Sequence, residues 1–438
     1  MPEIVYRTGC LLCHLVQTLP IGTNLGILRL LWTLLSGKLL ESRGALFPAL
    51  ISAGLTDQEA RRAEAALREG KFCVAPLLEG LRRQVQREKQ WQERSIAGYH
   101  PFVVDWVGFF RPHLRGCVSK HFDSRAGKAL PAIELGLLVR IGLVRQKRIP
   151  LLLGLVRGGD TLTLLRAAKR QMKPEDVLVA DRQVTIKHLA QAGIGAFVVR
   201  APIDFTARTR AVAPYSGRGR PCQRGAIVRP LARTYRGKTI AATSSHRREQ
   251  FVYEGRTLRV EFWDDLVVAN AAALDSALVF RCCVIWDPRY KHPWVLLTRL
   301  DVCGESLWRL YRDRWPIEQV PLAAKQLLGG CRSFVHSQTC RHRLPELCLL
   351  AGSLSLYLAA TSEAVKTGFW DRDPGRTPGR FRRSLSRASL PDIWTLPCFG
   401  GRVRKKASVY AHLPVGVLAH RRQQPSEAAF SVASLTGN

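Results

Sequence analysis

The chain has 438 residues, 46% hydrophobic and 23% charged, which excludes collagen-like, disordered and disulfide-scaffold classes and leaves room for about three average domains or two large ones. Its 67 Lys and Arg face only 34 Asp and Glu, a net charge of +33. Charge on that scale repels itself unless a polyanion neutralises it, which points first to nucleic acid and second to an anionic membrane surface.

The uncharged stretch between Arg7 and Arg29 is interrupted by Pro20, Gly22, Asn24 and Gly26, which suits a loop better than a membrane span. It has no positive n-region and no small-residue cleavage site, so no signal peptide is expected and a cytoplasmic location is. The 12 cysteines are scattered and read as reduced, mostly buried thiols. Cys10-Leu-Leu-Cys13-His14 has the c-type haem spacing. No second Cys/His pair accompanies it, so apolar positions of an N-terminal helix explain it better. Residues 1–98 read as a helical domain with helices over Leu28–Leu40, from Thr56-Asp57-Gln58-Glu59 to Gly70, and over Val74–Ser95. The Thr56/Glu59 pair is a capping-box start. The charged stretch Arg82–Arg94 gives the last helix a basic face, for DNA or simply for solvent.

From residue 100 the period changes. Phe102–Trp106 reads as a short strand ending at Asp105. Ala132–Val144 and Ile149–Val156 read as strands joined by the basic turn Arg145–Arg148, and Thr161–Met172 as a helix. Val177–Asp181 is a strand ending at a second carboxylate, followed by a helix over Thr185–Ala192 and a strand over Ala196–Arg200. Three strands followed by α/β alternation predict a mixed sheet flanked by helices. Between Phe205 and Arg248 stand eleven Arg/Lys and no Asp or Glu, interleaved with Tyr215 and Tyr235. With strands at Leu258–Phe262, Ala277–Trp286 and Trp294–Thr298, this reads as an inserted, basic, β-rich subdomain. Helices return from Glu305 to Gly330 and from Leu344 to Thr361. A Pro/Gly/Arg-rich extension follows, with a second basic run at Arg402–Lys406 and a tail past Arg422 expected to be disordered. The expected organisation is 1–98 helical and DNA-binding, 99–203 the first part of a catalytic domain, 204–303 the insertion, 304–365 its second part, and 366–438 the extension.

Asp105 and Asp181 attract attention because a carboxylate just past a buried strand is held by the sheet yet open to a ligand, and a divalent cation is a common partner. The segment Tyr311-Arg-Asp-Arg314-Trp-Pro316-Ile-Glu318-Gln-Val-Pro321-Leu-Ala-Ala-Lys325 is more specific. At about 100° per residue, Tyr311, Arg314, Glu318 and Lys325 fall on one helix face. Pro316 and Pro321 are weak points in that helix. An ordinary salt-bridged surface helix would carry several Glu/Lys pairs there, not one carboxylate among cations.

The pattern Tyr-x2-Arg-x3-Glu-x6-Lys resembles, in all four positions, the signature of one branch of DDE transposases, the cut-and-paste insertion-sequence enzymes. The resemblance covers roughly residues 100–362, and the helical N-terminal part is similar to the family's DNA-binding region. Arg182 follows Asp181 as in the family, whereas Gln183-Val184 replace the usual Gly and aromatic. The resemblance implies an α/β ribonuclease-H-like mixed sheet flanked by helices, with an inserted β-rich subdomain and an α-helical N-terminal domain. It implies that Asp105, Asp181 and Glu318 are catalytic and bind two Mg2+ ions, with Mn2+ able to substitute. Tyr311, Arg314 and Lys325 would bind DNA near the cleavage site. The implied partners are double-stranded transposon-end and target DNA and a second copy of the chain in a synaptic homodimer, with no membrane, in a prokaryotic nucleoid. Some enzymes of this type hold a flipped base on an aromatic of the insertion. Trp263, Trp286 and Trp294 are candidates for that, though each reads better as core. A DNA-binding protein of transposase descent without catalysis, or a ribonuclease-H-like nuclease, are the competing readings.

Overall fold

Helices α1 (Glu3–Val16), α2 (Thr23–Leu35), α3 (Asp57–Glu69) and α4 (Ala75–Glu88) open the chain, with short helical turns at Lys38–Glu41 and Leu46–Ser52. This computed structural model describes residues 3–111, 119–123, 126–215, 217, 220, 222–270, 279–332, 335, 337–392 and 396. The stretch expected as a loop before Arg29 is helical on both sides of a turn at residues 17–22. Its Leu11, Leu12, Leu15, Val16, Ile27 and Leu28 are all buried, and that apolar gain confines the Gly/Pro signal to the turn itself. Cys13 is one of these buried positions, and His14 Nδ1 bonds the Cys10 carbonyl (2.9 Å). The capping box forms as expected, with Glu59 N–H donating to Thr56 Oγ1 and Thr56 N–H to Glu59 Oε2. α4 stops at Glu88 and does not reach Ser95. Lys89 turns left-handed (φ 54°), and Gln92–Glu93 then pair antiparallel with Gly142 and Leu143. Glu88 ties the helices to the core, accepting from Arg7 (2.5 Å) and Tyr357 Oη (2.6 Å).

The middle of the chain builds a 13-stranded mixed sheet. Its first strands are β1 (His100–Phe110), β2 (Lys128–Val144), β3 (Lys147–Arg157), β4 (Asp176–Ala180) and β5 (Phe197–Ala201). They lie in the order β3-β2-β1-β4-β5, with β2 antiparallel to β1 and β3, and β4 and β5 parallel to β1. Arg145 and Gln146 both take positive φ (49° and 66°), the requirement of the two-residue turn that matches strand twist. Helices α5 (Thr161–Gln171) and α6 (Ile186–Gln191) make the crossovers. Each starts on a side-chain cap, Asp160 accepting from Thr163 N–H and Thr185 from His188 N–H.

The basic insertion does not fold apart from this sheet. β6 (Arg247–Tyr253), β7 (Arg256–Val268), β8 (Phe280–Trp286) and β9 (Trp294–Thr298) continue it, β9 joining antiparallel to β5 and followed by β8 and β7. Of the strands in this region, only the exposed hairpin Arg233–Tyr235/Lys238–Ile240 forms a separate sheet. A free edge on β5 would leave a row of unpaired backbone groups, and β9 covers it. One core fills the face beneath α5 and α6, from Phe102, Val104, Leu178, Ala180, Phe197 and Val199 to Trp263, Cys282 and Val284.

The opposite face is covered by α7 (Gly304–Arg312), α8 (Pro316–Leu322) and α9 (Gln338–Thr361). α9 is the one described helix apolar and long enough to cross a membrane, and its apolar window is wholly buried in the protein. Ser353 Oγ accepts the Leu152 N–H of β3 (3.2 Å). α10 (Pro378–Ser386), in the region read as an extension, packs on α9 through buried Phe381 and Leu385. Residues 1–390 form one compact unit; beyond it, Arg402–Lys406 and the tail past Arg422 lie outside the described residues.

Candidate active site

Strand register brings the two aspartates together. β1 and β4 pair His100 with Asp176 and Val103 with Val179, and two residues further on stand Asp105, within β1, and Asp181, just past the end of β4. β4 and β5 pair Ala180 with Val199, so the next step sets Asp181 beside Arg200. Asp105, Asp181 and Arg200 thus form one row across three parallel strands. Alternation turns all three away from the Val104, Ala180 and Val199 core, toward α7 and α8. This is the carboxyl end of the parallel strands, where open α/β sheets hold ligands. β1 itself does not end at Asp105, as the sequence suggested. It continues to Phe110 because β2 pairs with it that far, and only its β4 neighbour stops. Each aspartate Oδ1 accepts the next backbone N–H, from Trp106 (2.9 Å) and from Arg182 (2.8 Å). A cavity of about 220 Å³ opens beside them, lined by Asp105, Trp106, Thr161, Asp181 and Arg182.

The helix expected to carry Tyr311, Arg314, Glu318 and Lys325 on one face is broken. α7 ends at Arg312, tight turns follow (Arg314 N–H to Tyr311 O, 3.0 Å; Ile317 N–H to Arg314 O, 3.2 Å), and Pro316 starts α8. Proline has no N–H to continue the helix and fits its first turn. The break is pinned by Asp313, fully buried between Arg94 and Arg148 (Nη1, 3.2 Å). Glu318 falls in the first turn of α8, where the helix dipole favours a carboxylate. Lys325 lies in a π-helical turn, Ala323–Leu327.

Arg314 is the point of convergence. Its guanidinium lies 2.7 Å from Glu318 Oε1, 3.5 Å from Asp105 Oδ2 and 3.9 Å from Asp181 Oδ2, and the residue is only 7% exposed. Burial pushes the Asp105 carboxyl up to about 6; Arg314 and the Trp106 N–H oppose the rise, while Asp181 and Glu318 add to it. Arg314 is held above its ordinary value by Tyr311 and the three carboxylates, against desolvation. Tyr311 is 1% exposed, its phenol pushed up to about 12 by burial and by Asp181. Its hydroxyl faces Asp181, Arg314 and Arg200 without a hydrogen bond of ordinary geometry.

Lys325 does not join this cluster. Its ammonium lies over the Phe109 and Phe110 rings (5.2 and 5.8 Å), and desolvation lowers its pKa. Arg200, which sequence reasoning missed, takes the other side, its guanidinium 4.2 Å from the centre of the Trp294 ring. Trp294 in turn packs against Tyr311, Trp308 and Trp315. Only the pairing of β4 with β5 reveals Arg200, and no local motif marks it. Trp263 is fully buried and donates its indole N–H to Thr243 O. Trp286 is half-buried under Arg259.

Among the described residues no three His, Cys, Asp or Glu groups stand close enough to hold a metal ion as they are placed. The three carboxylates surround a guanidinium, whose nitrogens they meet at 2.7–3.9 Å, whereas Mg2+ needs oxygens at about 2.1 Å. A scan against family models finds no match to this chain, and a search of curated proteins finds none either.

Proposed function

We propose that the chain is a DDE-type transposase that cleaves DNA and transfers strands at the terminal inverted repeats of an insertion sequence. The observation that carries the reading is the meeting of Asp105, Asp181 and Glu318, far apart in sequence, on the single side chain Arg314. The strand order third-second-first-fourth-fifth, with only the second reversed, supports a ribonuclease-H-like catalytic domain. So does the supply of acids from the first strand, from the end of the fourth, and from a helix covering that face. The net charge of +33 supports DNA as the substrate.

The donor set fits a hard divalent cation, being all carboxylate oxygen. Asp105, Asp181 and Glu318 would hold Mg2+, or Mn2+ in its place. The bound ions supply charge stabilisation at the attacking and leaving oxygens of an in-line phosphodiester displacement. The remaining work is positioning. Arg314 offers a planar fork to a phosphate. Tyr311, a neutral phenol, has an unused hydroxyl proton to donate to a phosphate oxygen. Arg200 adds fixed positive charge beside Asp181.

The test is a Mg2+-dependent assay on DNA bearing the inverted repeats that flank the gene. Nicking with strand transfer is the expected result, lost in Glu318→Gln while DNA binding stays nearly intact. Binding without cleavage would favour a non-catalytic DNA-binding protein, and sequence-indifferent cutting a nuclease. Cleavage by Glu318→Gln would overturn the site.

A further inference from the structure

We infer that Arg314 is the resident counter-cation of the carboxylate centre, that it competes with divalent metal for the same oxygens, and that DNA relieves the competition by drawing Arg314 onto a phosphate. The inference rests on the active-site reading above and adds to it a means of coupling metal loading to substrate binding.

The ion pairs are one-sided. Asp105, Asp181 and Glu318 each pair with Arg314 and with no other cation among the described residues. Of the other nearby cations, Arg200 lies on the Trp294 ring and Lys325 on Phe109 and Phe110, while Arg182, exposed on the wall of the cavity beside Asp181, forms no ion pair with the three carboxylates. Three anions therefore share one buried guanidinium. Removing it without replacement leaves three like charges facing one another, only a third to a half of each side chain open to water. A divalent ion on the same oxygens would face a guanidinium within about 4 Å, and their repulsion opposes double occupancy. The two kinds of cation are thus alternatives.

The geometry also supplies the exit. Arg314 sits in the break between α7 and α8, where Asp313 anchors the backbone through Arg94 and Arg148. In the inferred exchange the side chain swings while the backbone stays where Asp313 holds it. A phosphate is the natural destination for a guanidinium fork. If DNA holds Arg314 away from the carboxylates, metal affinity rises, and by linkage metal tightens DNA binding by the same factor. The protein without DNA then holds metal poorly and loads it as DNA binds.

Mn2+ titrations followed by electron paramagnetic resonance test this on the full chain, for wild type, Arg314→Gln and Arg314→Lys, with and without mixed-sequence duplex DNA at low salt. Mn2+ held by the DNA is subtracted with a parallel Glu318→Gln titration. Without DNA, Arg314→Gln is expected to bind Mn2+ at least about fivefold more tightly than wild type, and Arg314→Lys to stay near wild type. DNA is expected to tighten Mn2+ binding to wild type by a similar factor and to leave Arg314→Gln unchanged. Equal or weaker binding by a folded Arg314→Gln overturns the inference, as does a wild-type affinity indifferent to DNA. The wild-type comparison decides alone if the Gln variant does not fold. Absence of saturable Mn2+ binding in all three proteins overturns the active-site reading itself, a different failure from the loss of coupling.

Discussion

Asp105 and Asp181 stand level on adjacent parallel strands, each carboxylate accepting the N–H of the residue that follows it. The cost of this closeness falls on Asp105, whose carboxyl is raised to about 6, first by burial and then by Asp181 and Glu318. Because the folded pKa lies above the unfolded value of 3.8, proton binding stabilises the fold fully below about pH 4, and this stabilisation is lost as pH rises through 6. At pH 8 the ionised carboxylate is a net burden on the metal-free protein.

Asp105→Asn removes that burden. We expect the variant to melt at least about 2 °C higher than wild type at pH 8 without metal, with the gap shrinking toward zero near pH 4. It should be inactive throughout. Thermal melts at both pH values check this; a gap that is the same at pH 4 and pH 8 would contradict the assignment of the raised carboxyl to Asp105.

The two aspartates were readable from the sequence because apolar runs ending in a single carboxylate stand out, and the spacing of Tyr311, Arg314 and Glu318 is specific. What the sequence hid is long-range. That β1 runs on past Asp105 depends on pairing with β2, and that the insertion extends the main sheet depends on β9 meeting β5. The helix break at Arg312 was signalled by Pro316, yet the buried pairing of Asp313 with Arg94 and Arg148, which fixes its direction, joins residues more than 160 positions apart. Periodicity carries no information about such contacts.

Asp313 offers a direct measure of that pairing. Its burial raises its pKa, while Arg94 and then Arg148 pull the other way. Asp313→Ala leaves two partly exposed arginines without their shared buried partner, a loss of charged hydrogen bonds that costs about 1–3 kcal/mol. Urea unfolding should show a loss in this range, with DNA cleavage falling further than stability explains because Arg314 loses its fixed neighbour. A loss below about 1 kcal/mol would mean the break is held by Pro316 alone.

Gly352 of α9 sets how closely α8 approaches α9. A Cβ there would stand 2.7 Å from Val320 O and 3.1 Å from Ala324 N, both backbone atoms. Gly352→Ala must therefore push α8, and Glu318 with it, away from α9. We expect a folded protein destabilised by about 1–3 kcal/mol with cleavage reduced about 100-fold, the scale of a displacement near 1 Å. Cleavage at the wild-type rate in a folded Gly352→Ala would show that the position of Glu318 tolerates the shift.

Arg200 tests the row on the sheet independently of the carboxylates. It has no carboxylate partner among the described residues and keeps its place by stacking on Trp294, so its positive charge is available to a phosphate. Arg200→Ala should weaken duplex binding and reduce the slope of log affinity against log salt by about 1, the mark of one lost phosphate contact. Arg200→Lys keeps the charge but not the planar stack, so it should restore the slope while recovering only part of the cleavage rate. Trp294→Leu should resemble the Lys variant, because it frees Arg200 without discharging it. Fluorescence-anisotropy titrations across a salt series distinguish the three. An unchanged slope in Arg200→Ala would remove Arg200 from the DNA-binding surface and leave its stacking on Trp294 as packing alone.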